Sequence, residues 1–145
     1  MKRITVLMAD DNREVRTAFR KILEMEADLE VVGVVNNGQQ AVAMVKKLRP
    51  NLVLMDVSMP MLNGLEATRQ ILKAHPATKV LMLSAHSDEA YIIESLNAGA
   101  KGYLIKQSSM INVCQAIRAV QNGKTFFSTS IPKRLQKRNP VYNGC

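Results

Sequence analysis

The chain alternates short apolar runs with amphipathic segments five times over. The runs begin roughly 20 to 28 residues apart, which leaves room for one helix in each gap, as in βαβ units. We therefore predict that each run is a strand. The five predicted strands are ITVLMA (4–9), LEVVGVV (29–35), NLVLMD (51–56), KVLMLS (79–84) and GYLIK (102–106).

The segments between these runs have the apolar spacing of helices that each bury one face. The last two end at Gly99 and Gly123, and a glycine is a common helix stop. The predicted buried faces are Val15, Ala18, Phe19, Ile22 and Leu23 in the first helix, Ala41, Val42, Val45 and Leu48 in the second, Leu65, Thr68, Ile71 and Leu72 in the third, Ile92, Ile93 and Leu96 in the fourth, and Ile111, Cys114, Ile117 and Val120 in the fifth.

The central runs are apolar on both faces, which is typical of a parallel sheet covered on both sides. Five βα units with right-handed crossovers predict a doubly wound α/β domain. We assign residues 1–123 to this domain. Residues 124–145 are too few for a second domain, so we expect a basic linker or tail.

The net charge of +8 lies entirely in the last third of the chain. Residues 101–145 contain 8 lysines and arginines and no acid, and part of this excess is the run PKRLQKR (132–138). Such a run could contact nucleic acid. Because no aromatic residues are interleaved with it, we favour a solvated linker instead.

Other features of the sequence predict a cytoplasmic location. No apolar run approaches the length of about 20 residues that a membrane span needs, and the N-terminal run is too short for a signal peptide. The two cysteines, Cys114 and Cys145, are far apart in sequence, so we expect no disulfide and a reducing compartment.

Polar residues follow four of the predicted strands. Ligands of open α/β sheets bind beyond the carboxyl ends of the strands. Strand one delivers Asp10 and Asp11 to that edge, strand three Asp56, strand four Ser84 and strand five Lys106. Any one of these residues could be a helix cap, a turn residue or a solvated side chain. The five together indicate a site.

The residue types narrow the chemistry of this site. Three carboxylates held together repel one another, and a divalent cation such as Mg²⁺ removes that cost. The lysine can pair with a carboxylate or with a phosphoryl oxygen, to which the serine hydroxyl can also donate. Attack by a carboxylate on phosphorus gives an aspartyl phosphate. The set therefore suggests phosphoryl transfer aided by Mg²⁺.

Four motifs carry a resemblance to a known family. They are LMADDN (7–12), LMDVSMPMLNG (54–64), LMLSAH (81–86) and GAKGYLIK (99–106). In this order and at these spacings, the chain resembles the receiver domains of two-component response regulators over about residues 3–123. The resemblance implies a flavodoxin-like sheet of five parallel strands in the order 2-1-3-4-5, with five helices.

The resemblance also assigns roles at the acidic end of the site. Asp56 corresponds to the phosphoacceptor, which takes a phosphoryl group from a sensor histidine kinase. Asp11, Asp56 and the backbone carbonyl of Ser58 correspond to direct Mg²⁺ ligands, and Asp10 assists through water. The chain is thus expected to be a signalling domain rather than an enzyme with an external substrate.

The resemblance also assigns roles to the residues around the phosphoryl group, including a switch pair. Lys106 contacts the phosphoryl group, and Ser84 and Tyr103 are the switch pair: the hydroxyl moves toward the phosphate and the ring fills the space it leaves. The face formed by helix four, strand five and helix five then changes shape. Ser58 and His86 flank the site and are expected to tune the lifetime of the phosphoryl group.

One position departs from the commoner pattern. Lys106 is often followed by a proline with a cis peptide in this family, whereas here Gln107 follows. A cis bond without proline costs about 2.5–4 kcal/mol, so the sequence leaves the geometry of this peptide open.

The motif GAKGYLIK and residues 117–131 resemble the NarL/FixJ subfamily, whose receivers precede a LuxR-type helix-turn-helix domain. No such domain is present in this sequence, so we expect either a receiver separated from its effector within the linker or a stand-alone receiver that acts by protein contacts. DNA would be bound only through the missing domain. A homodimer could form through the helix four–helix five face or the helix one–helix five face.

Two other classes of protein were considered. A haloacid-dehalogenase-like phosphohydrolase also uses an aspartate at a strand end, but it needs a second acid two residues later, where this chain has Ser58. An autonomous DNA-binding protein would need a recognition element besides the basic tail. We rank both below the receiver.

Overall fold

The computed structural model describes residues 2–136. These residues form a parallel sheet with the strand order β2-β1-β3-β4-β5-β6. The flavodoxin-like fold is confirmed, and the five predicted strands agree with β1 to β5 to within a residue at each end. The strands are β1 Ile4–Ala9, β2 Leu29–Val35, β3 Leu52–Asp56, β4 Lys79–Ser84, β5 Gly102–Ile105 and β6 Phe126–Phe127.

The five predicted helices lie between and after these strands. Asparagines cap the first three: the side chains of Asn12, Asn37 and Asn63 each accept a hydrogen bond from the backbone N–H three residues later. A short 3₁₀ turn, Lys106–Ser108, follows β5. The helices are α1 Arg13–Glu24, α2 Gly38–Leu48, α3 Gly64–Ala74, α4 Glu89–Asn97, α5 Val113–Gln121 and a sixth, α6 Lys133–Gln136.

The core consists of two apolar layers, one on each face of the sheet. Residues of α1 and α5 pack on one face, and residues of α2, α3 and α4 pack on the other. Strand β3 runs through the middle, and all five of its residues are buried. A strand with no exposed face holds its last residue, Asp56, in a fixed position at the edge of the sheet.

The sheet has six strands, so the prediction of five was wrong in this detail. Strand β6 pairs in parallel with β5, with Phe126 beside Gly102 and Phe127 beside Tyr103. A Cβ atom on Gly102 would lie 2.2 Å from the carbonyl oxygen of Phe126, so a glycine is needed for this close approach. A strand of two residues is too short to show a period of two in the sequence.

Residues 126–136, which we call the C-terminal strap, pack onto the domain. Ile131 and Leu135 are buried in the same layer as residues of α4 and β5, and Arg134 forms an ion pair with Glu89 of α4. Apolar side chains of the described part of the expected linker are therefore packed on the domain, whereas Lys133 and Arg134 of its basic run are exposed to solvent. The domain boundary at residue 123 stays a prediction, and Lys137, Arg138 and Cys145 lie outside the described residues.

One predicted helix face needs correction. Ile111 was assigned to the buried face of the fifth helix, but α5 begins at Val113 and Ile111 is 97% exposed. The buried face of α5 is Val113, Ala116, Ile117 and Val120. Cys114 is a free, half-buried thiol.

The structure also gives the geometry of the Lys106–Gln107 peptide, which the sequence leaves open. Residues 2–136 contain no cis peptide bond, so the bond between Lys106 and Gln107 is trans. None of the helices within these residues combines the length and apolar character that crossing a membrane requires.

Candidate functional site

Three carboxylates meet at the carboxyl edge of the sheet. Asp10 and Asp11 follow β1, and Asp56 ends the neighbouring β3. One oxygen of each lies within 4.8 Å of the others. Asp10 and Asp56 are 2% and 4% exposed, whereas Asp11 is exposed to solvent. The cluster is thus an acidic pocket with one open side.

Lys106 supplies the positive charge of this pocket. It begins the 3₁₀ turn after β5, and its Nζ lies 2.9 Å from Asp10 Oδ2 and 3.4 Å from Asp56 Oδ2. Burial opposes the charged form of this lysine, but the contacts with Asp10 and Asp56 outweigh it and raise its pKa. Lys106 is therefore a fixed cation between the two buried carboxylates.

The pKa of Asp56 is strongly perturbed in this pocket. Burial and the charge of Asp10 raise the pKa of Asp56 to about 7, although Lys106 acts in the opposite direction. The charge of one lysine thus does not offset the mutual repulsion of three carboxylates. A divalent cation that takes oxygen ligands fits this set of donors, because it would remove the remaining repulsion.

The loop after β3 is shaped closely around the backbone of Asp56. The N–H of Gly64 donates a 2.7 Å hydrogen bond to the carbonyl of Val57, and a Cβ on Gly64 would lie only 1.9 Å from the carbonyl oxygen of Asp56. Only a glycine permits this approach. On the same loop, the N–H of Ser58 donates to Asp56 Oδ1 at 3.3 Å.

Ser84 and Tyr103, the predicted switch pair, are both fully buried and are linked through the backbone of His86. The N–H of His86 donates to Ser84 Oγ at 2.9 Å, and the hydroxyl of Tyr103 donates to the carbonyl of His86 at 2.7 Å. Burial raises the pKa of Tyr103 to about 12, so its hydroxyl remains protonated. The tyrosine ring already occupies the interior.

The side chain of His86 makes two further contacts. Its Nε2 lies 3.2 Å from Ser58 Oγ, within hydrogen-bond distance, and its ring stacks on Tyr91 of α4 with centroids 4.3 Å apart and planes at 16°. Ser58 and His86, both expected to flank the site, therefore touch each other.

Two residues near the site were missed by the sequence analysis. Tyr91 contacts His86 from α4, and Arg16 of α1 donates from Nη1 to the carbonyl of Asp10 at 2.8 Å. Neither belongs to a motif at a strand end. Arg16 lies six residues after Asp10, and only the packing of α1 against β1 brings it back to the site.

A family model for the response regulator receiver domain matches residues 6–118, which include every residue of this site. The chain belongs to that family. The match covers most of the chain and confirms the resemblance on which the fold was predicted.

Relatives with similar sequences are longer than this chain. The transcriptional regulatory protein DegU of Brevibacillus brevis is 37% identical over 135 residues, a match that covers 93% of this chain and 57% of the relative. The response regulator protein VraR of Staphylococcus aureus is 35% identical over 143 residues, covering 96% and 68%. The chain thus spans between about half and two thirds of the length of such relatives.

Solved structures of the same family share the fold. A two-component response regulator of the LuxR family from Aurantimonas has a TM-score of 0.84 at 26% identity, with 99% of both chains covered. The isolated receiver domain of RcsB from Salmonella enterica serovar Typhimurium, solved with the phosphomimetic BeF₃⁻, has the same TM-score and identity and covers 94% of this chain and 100% of that one. These neighbours confirm the predicted LuxR/NarL group.

Proposed function

We propose that Asp56 accepts a phosphoryl group from the phosphohistidine of a sensor histidine kinase. The observation that carries this proposal is the pairing of Asp56 with Lys106 inside a cluster of three carboxylates, at the end of a fully buried strand. An Asp56 oxygen attacks phosphorus, the P–N bond breaks, and its electron pair returns to the imidazole of the kinase. The product is an acyl phosphate.

The groups around Asp56 would neutralise the charge that the phosphoryl group brings. Asp10, Asp11, Asp56 and the backbone carbonyl of Ser58 are the proposed Mg²⁺ site, with Asp10 acting through water. The ion supplies positive charge to the transferred group when it is bound. Lys106 is fixed by its two carboxylate contacts and would turn toward a phosphoryl oxygen as Asp56 loses its own charge.

The switch pair would respond to the new phosphoryl group. Ser84 Oγ now accepts a hydrogen bond from the N–H of His86, and its own hydroxyl proton is free to turn toward a phosphoryl oxygen. Phosphorylation would then stabilise the arrangement in which Tyr103 is buried and bonded to the carbonyl of His86, as a shift between two populated states. Tyr103 lies on β5 and His86 on the loop that leads into α4, so the face that α4 and β5 share would change.

The C-terminal strap would transmit this change beyond the sheet, because it is bonded to β5. Ser128 donates from its N–H to the carbonyl of Tyr103 at 3.1 Å, and its Oγ accepts from the N–H of Ile105 at 2.8 Å. The strap is therefore bonded directly to the strand that carries the switch tyrosine. A movement of β5 would therefore shift the strap as well as the face formed by α4, β5 and α5.

For the full-length protein we propose control of transcription. The relatives include transcriptional regulators, and the chain spans about half to two thirds of their length. DNA would be bound through a LuxR-type effector domain, with a homodimer forming on phosphorylation, in the cytoplasm. The domain has no proposed external substrate; it would only phosphorylate and dephosphorylate itself. A stand-alone receiver acting by protein contacts is the alternative.

The proposal is tested with a small phosphoryl donor, such as acetyl phosphate or phosphoramidate. The protein is incubated with the donor, with and without Mg²⁺, and its intact mass is measured. We expect one phosphoryl adduct that forms only with Mg²⁺ and is absent from Asp56→Asn. An adduct that forms equally in that variant would contradict the proposal.

A further inference from the structure

His86 makes contacts through both its backbone and its side chain. Its backbone N–H and carbonyl are bonded to Ser84 and Tyr103, and its ring contacts Ser58 and Tyr91. The backbone contacts fix where the side chain starts, but not where the ring points. The ring itself contacts Ser58 through Nε2 and Tyr91 through its face.

The contact between Ser58 and His86 connects two loops beside the phosphoacceptor. Ser58 lies on the loop after β3 and His86 on the loop after β4, and these strands are neighbours in the sheet. The N–H of Ser58 also reaches Asp56 Oδ1 at 3.3 Å. The Ser58–His86 contact, which we call the clasp, is exposed to solvent and joins these two loops next to Asp56.

Tyr91, on helix α4, contacts the His86 side of the clasp. It lies in the first turn of that helix and is half-buried, with its ring nearly parallel to that of His86. Stacking of this kind favours one orientation of the two rings over others. If the stack were lost, the imidazole, which is itself only partly buried, would be free to swing into solvent and leave Ser58.

We propose that Tyr91 is a positioning residue that keeps His86 bonded to Ser58 and thereby prolongs the life of the phosphoryl group on Asp56. This inference rests on the proposed function of Asp56. The clasp acts by restricting access of water. Because Tyr91 belongs to α4, a shift of that helix would also loosen the clasp. The lifetime of the phosphoryl group therefore depends on the state of the helix four–strand five–helix five face.

The step that the clasp slows is hydrolysis of the acyl phosphate. A water oxygen attacks phosphorus on the side opposite Asp56, the bond between phosphorus and the Asp56 oxygen breaks, and its electron pair returns to the carboxylate. Both protons of the water leave on the dihydrogen phosphate that is released. The attacking water must come from solvent, and the exposed clasp joins the two loops beside Asp56.

A different role for His86 predicts the opposite result. If His86 were a general base that activates the water, removal of its support would slow hydrolysis. If the clasp excludes water, the same change speeds hydrolysis. The direction of the effect therefore separates the two roles.

The test measures loss of the adduct. The protein is phosphorylated with acetyl phosphate and Mg²⁺, the donor is removed by desalting, and intact mass is followed with time. We expect Tyr91→Leu to shorten the half-life about 2- to 10-fold, the range that a stacked aromatic pair supports. Tyr91→Phe, which keeps the ring, should remain within about twofold of the wild type. An unchanged or longer half-life in Tyr91→Leu overturns the proposal.

Two further variants show whether Tyr91 acts through the clasp. His86→Ala should shorten the half-life, and adding Tyr91→Leu to it should change nothing more, since residues of one contact network are not additive. A full additional effect would mean that Tyr91 acts elsewhere, and would overturn the proposal. Ser58→Ala breaks the clasp at an exposed side chain and provides the same test if Tyr91→Leu does not fold.

The failure of the proposal can be told apart from failure of the proposed function. If the wild type gains no adduct, or gains it in Asp56→Asn, the function of Asp56 is wrong and no lifetime is measured. If the wild type gains the adduct at Asp56 and Tyr91→Leu loses it at the same rate, only the role of Tyr91 is wrong.

Discussion

The hydroxyl of Tyr103 donates a 2.7 Å hydrogen bond to the backbone carbonyl of His86. This bond joins β5 to the loop between β4 and α4, and Tyr103 is fully buried where it forms. The tyrosine is therefore bonded to a loop residue, His86, whose N–H donates to Ser84 and whose ring contacts Ser58 beside Asp56. Loss of this one hydrogen bond should change both the free energy of unfolding and the arrangement of the site.

We predict that Tyr103→Phe lowers the free energy of unfolding by about 1–2 kcal/mol, because the carbonyl of His86 loses a buried hydrogen-bond donor while the ring still fills its space. Urea denaturation followed by circular dichroism measures this change. Tyr91→Phe, at a half-buried tyrosine of α4, serves as the control and should change the value by less than about 0.5 kcal/mol. A Tyr103→Phe variant as stable as the wild type would show that this bond does not stabilise the loop.

The raised pKa of Asp56 leads us to predict an unusual dependence of stability on pH. Its pKa rises from 3.8 to about 7 on folding, chiefly through burial and then the charge of Asp10. The folded state thus binds more protons than the unfolded state between about pH 4 and 7, so stability falls as pH rises through this range. This contribution of Asp56 is fully favourable at low pH and is lost above the folded pKa.

We accordingly predict that Asp56→Asn stabilises the metal-free protein by about 1–3 kcal/mol at pH 8, and by much less at pH 5. Lys106 keeps Asp10 as its partner in this variant. Urea denaturation with EDTA present, at both pH values, measures the difference. The same gain at both pH values would mean that ionisation of Asp56 is not its source.

The C-terminal strap should contribute to stability through Leu135. This side chain is 1% exposed, so Leu135→Ala should cost about 2–4 kcal/mol, the range for removing a buried leucine. Arg134→Ala is the matched control, since the ion pair of Arg134 with Glu89 is largely exposed and should contribute less than about 1 kcal/mol. Equal, small effects of both would show that the strap does not pack in solution as described.

Asp11 should matter for Mg²⁺ but little for the fold, because it is the exposed member of the acidic cluster. Mg²⁺ should raise the thermal midpoint of the wild type, since a ligand that binds only the folded state stabilises it. Asp11→Asn should retain the metal-free midpoint and lose this rise. Glu14→Gln, at an exposed carboxylate outside the cluster, should retain both. A rise that persists in Asp11→Asn would place the metal elsewhere.

The sequence predicted the fold well, for a physical reason. A parallel sheet buried on both faces needs continuous apolar runs, and such runs have clear ends, so the strands up to β5 were located to within a residue. The residues that follow them, such as Asp56 and Lys106, were placed correctly at one edge because parallel strands end together. Their roles came from the family resemblance and remain proposals.

The sequence could not predict features that depend on tertiary contact. Strand β6 has two residues and no readable period, and it forms because Gly102 lets the backbone of Phe126 approach. Ile111 fits the spacing of α5, yet the helix starts two residues later and leaves it exposed. Tyr91 reaches His86 only because α4 packs beside the loop after β4.

The central claim is that the carboxylate of Asp56 carries the phosphoryl group. Sodium borohydride reduces an aspartyl phosphate to homoserine, so the modified position can be read directly by peptide mass spectrometry after treatment with acetyl phosphate and Mg²⁺. We predict homoserine at position 56 and unmodified aspartate at positions 10 and 11. Homoserine at position 10 or 11, or its absence from a protein that carries the phosphoryl mass, would contradict the account.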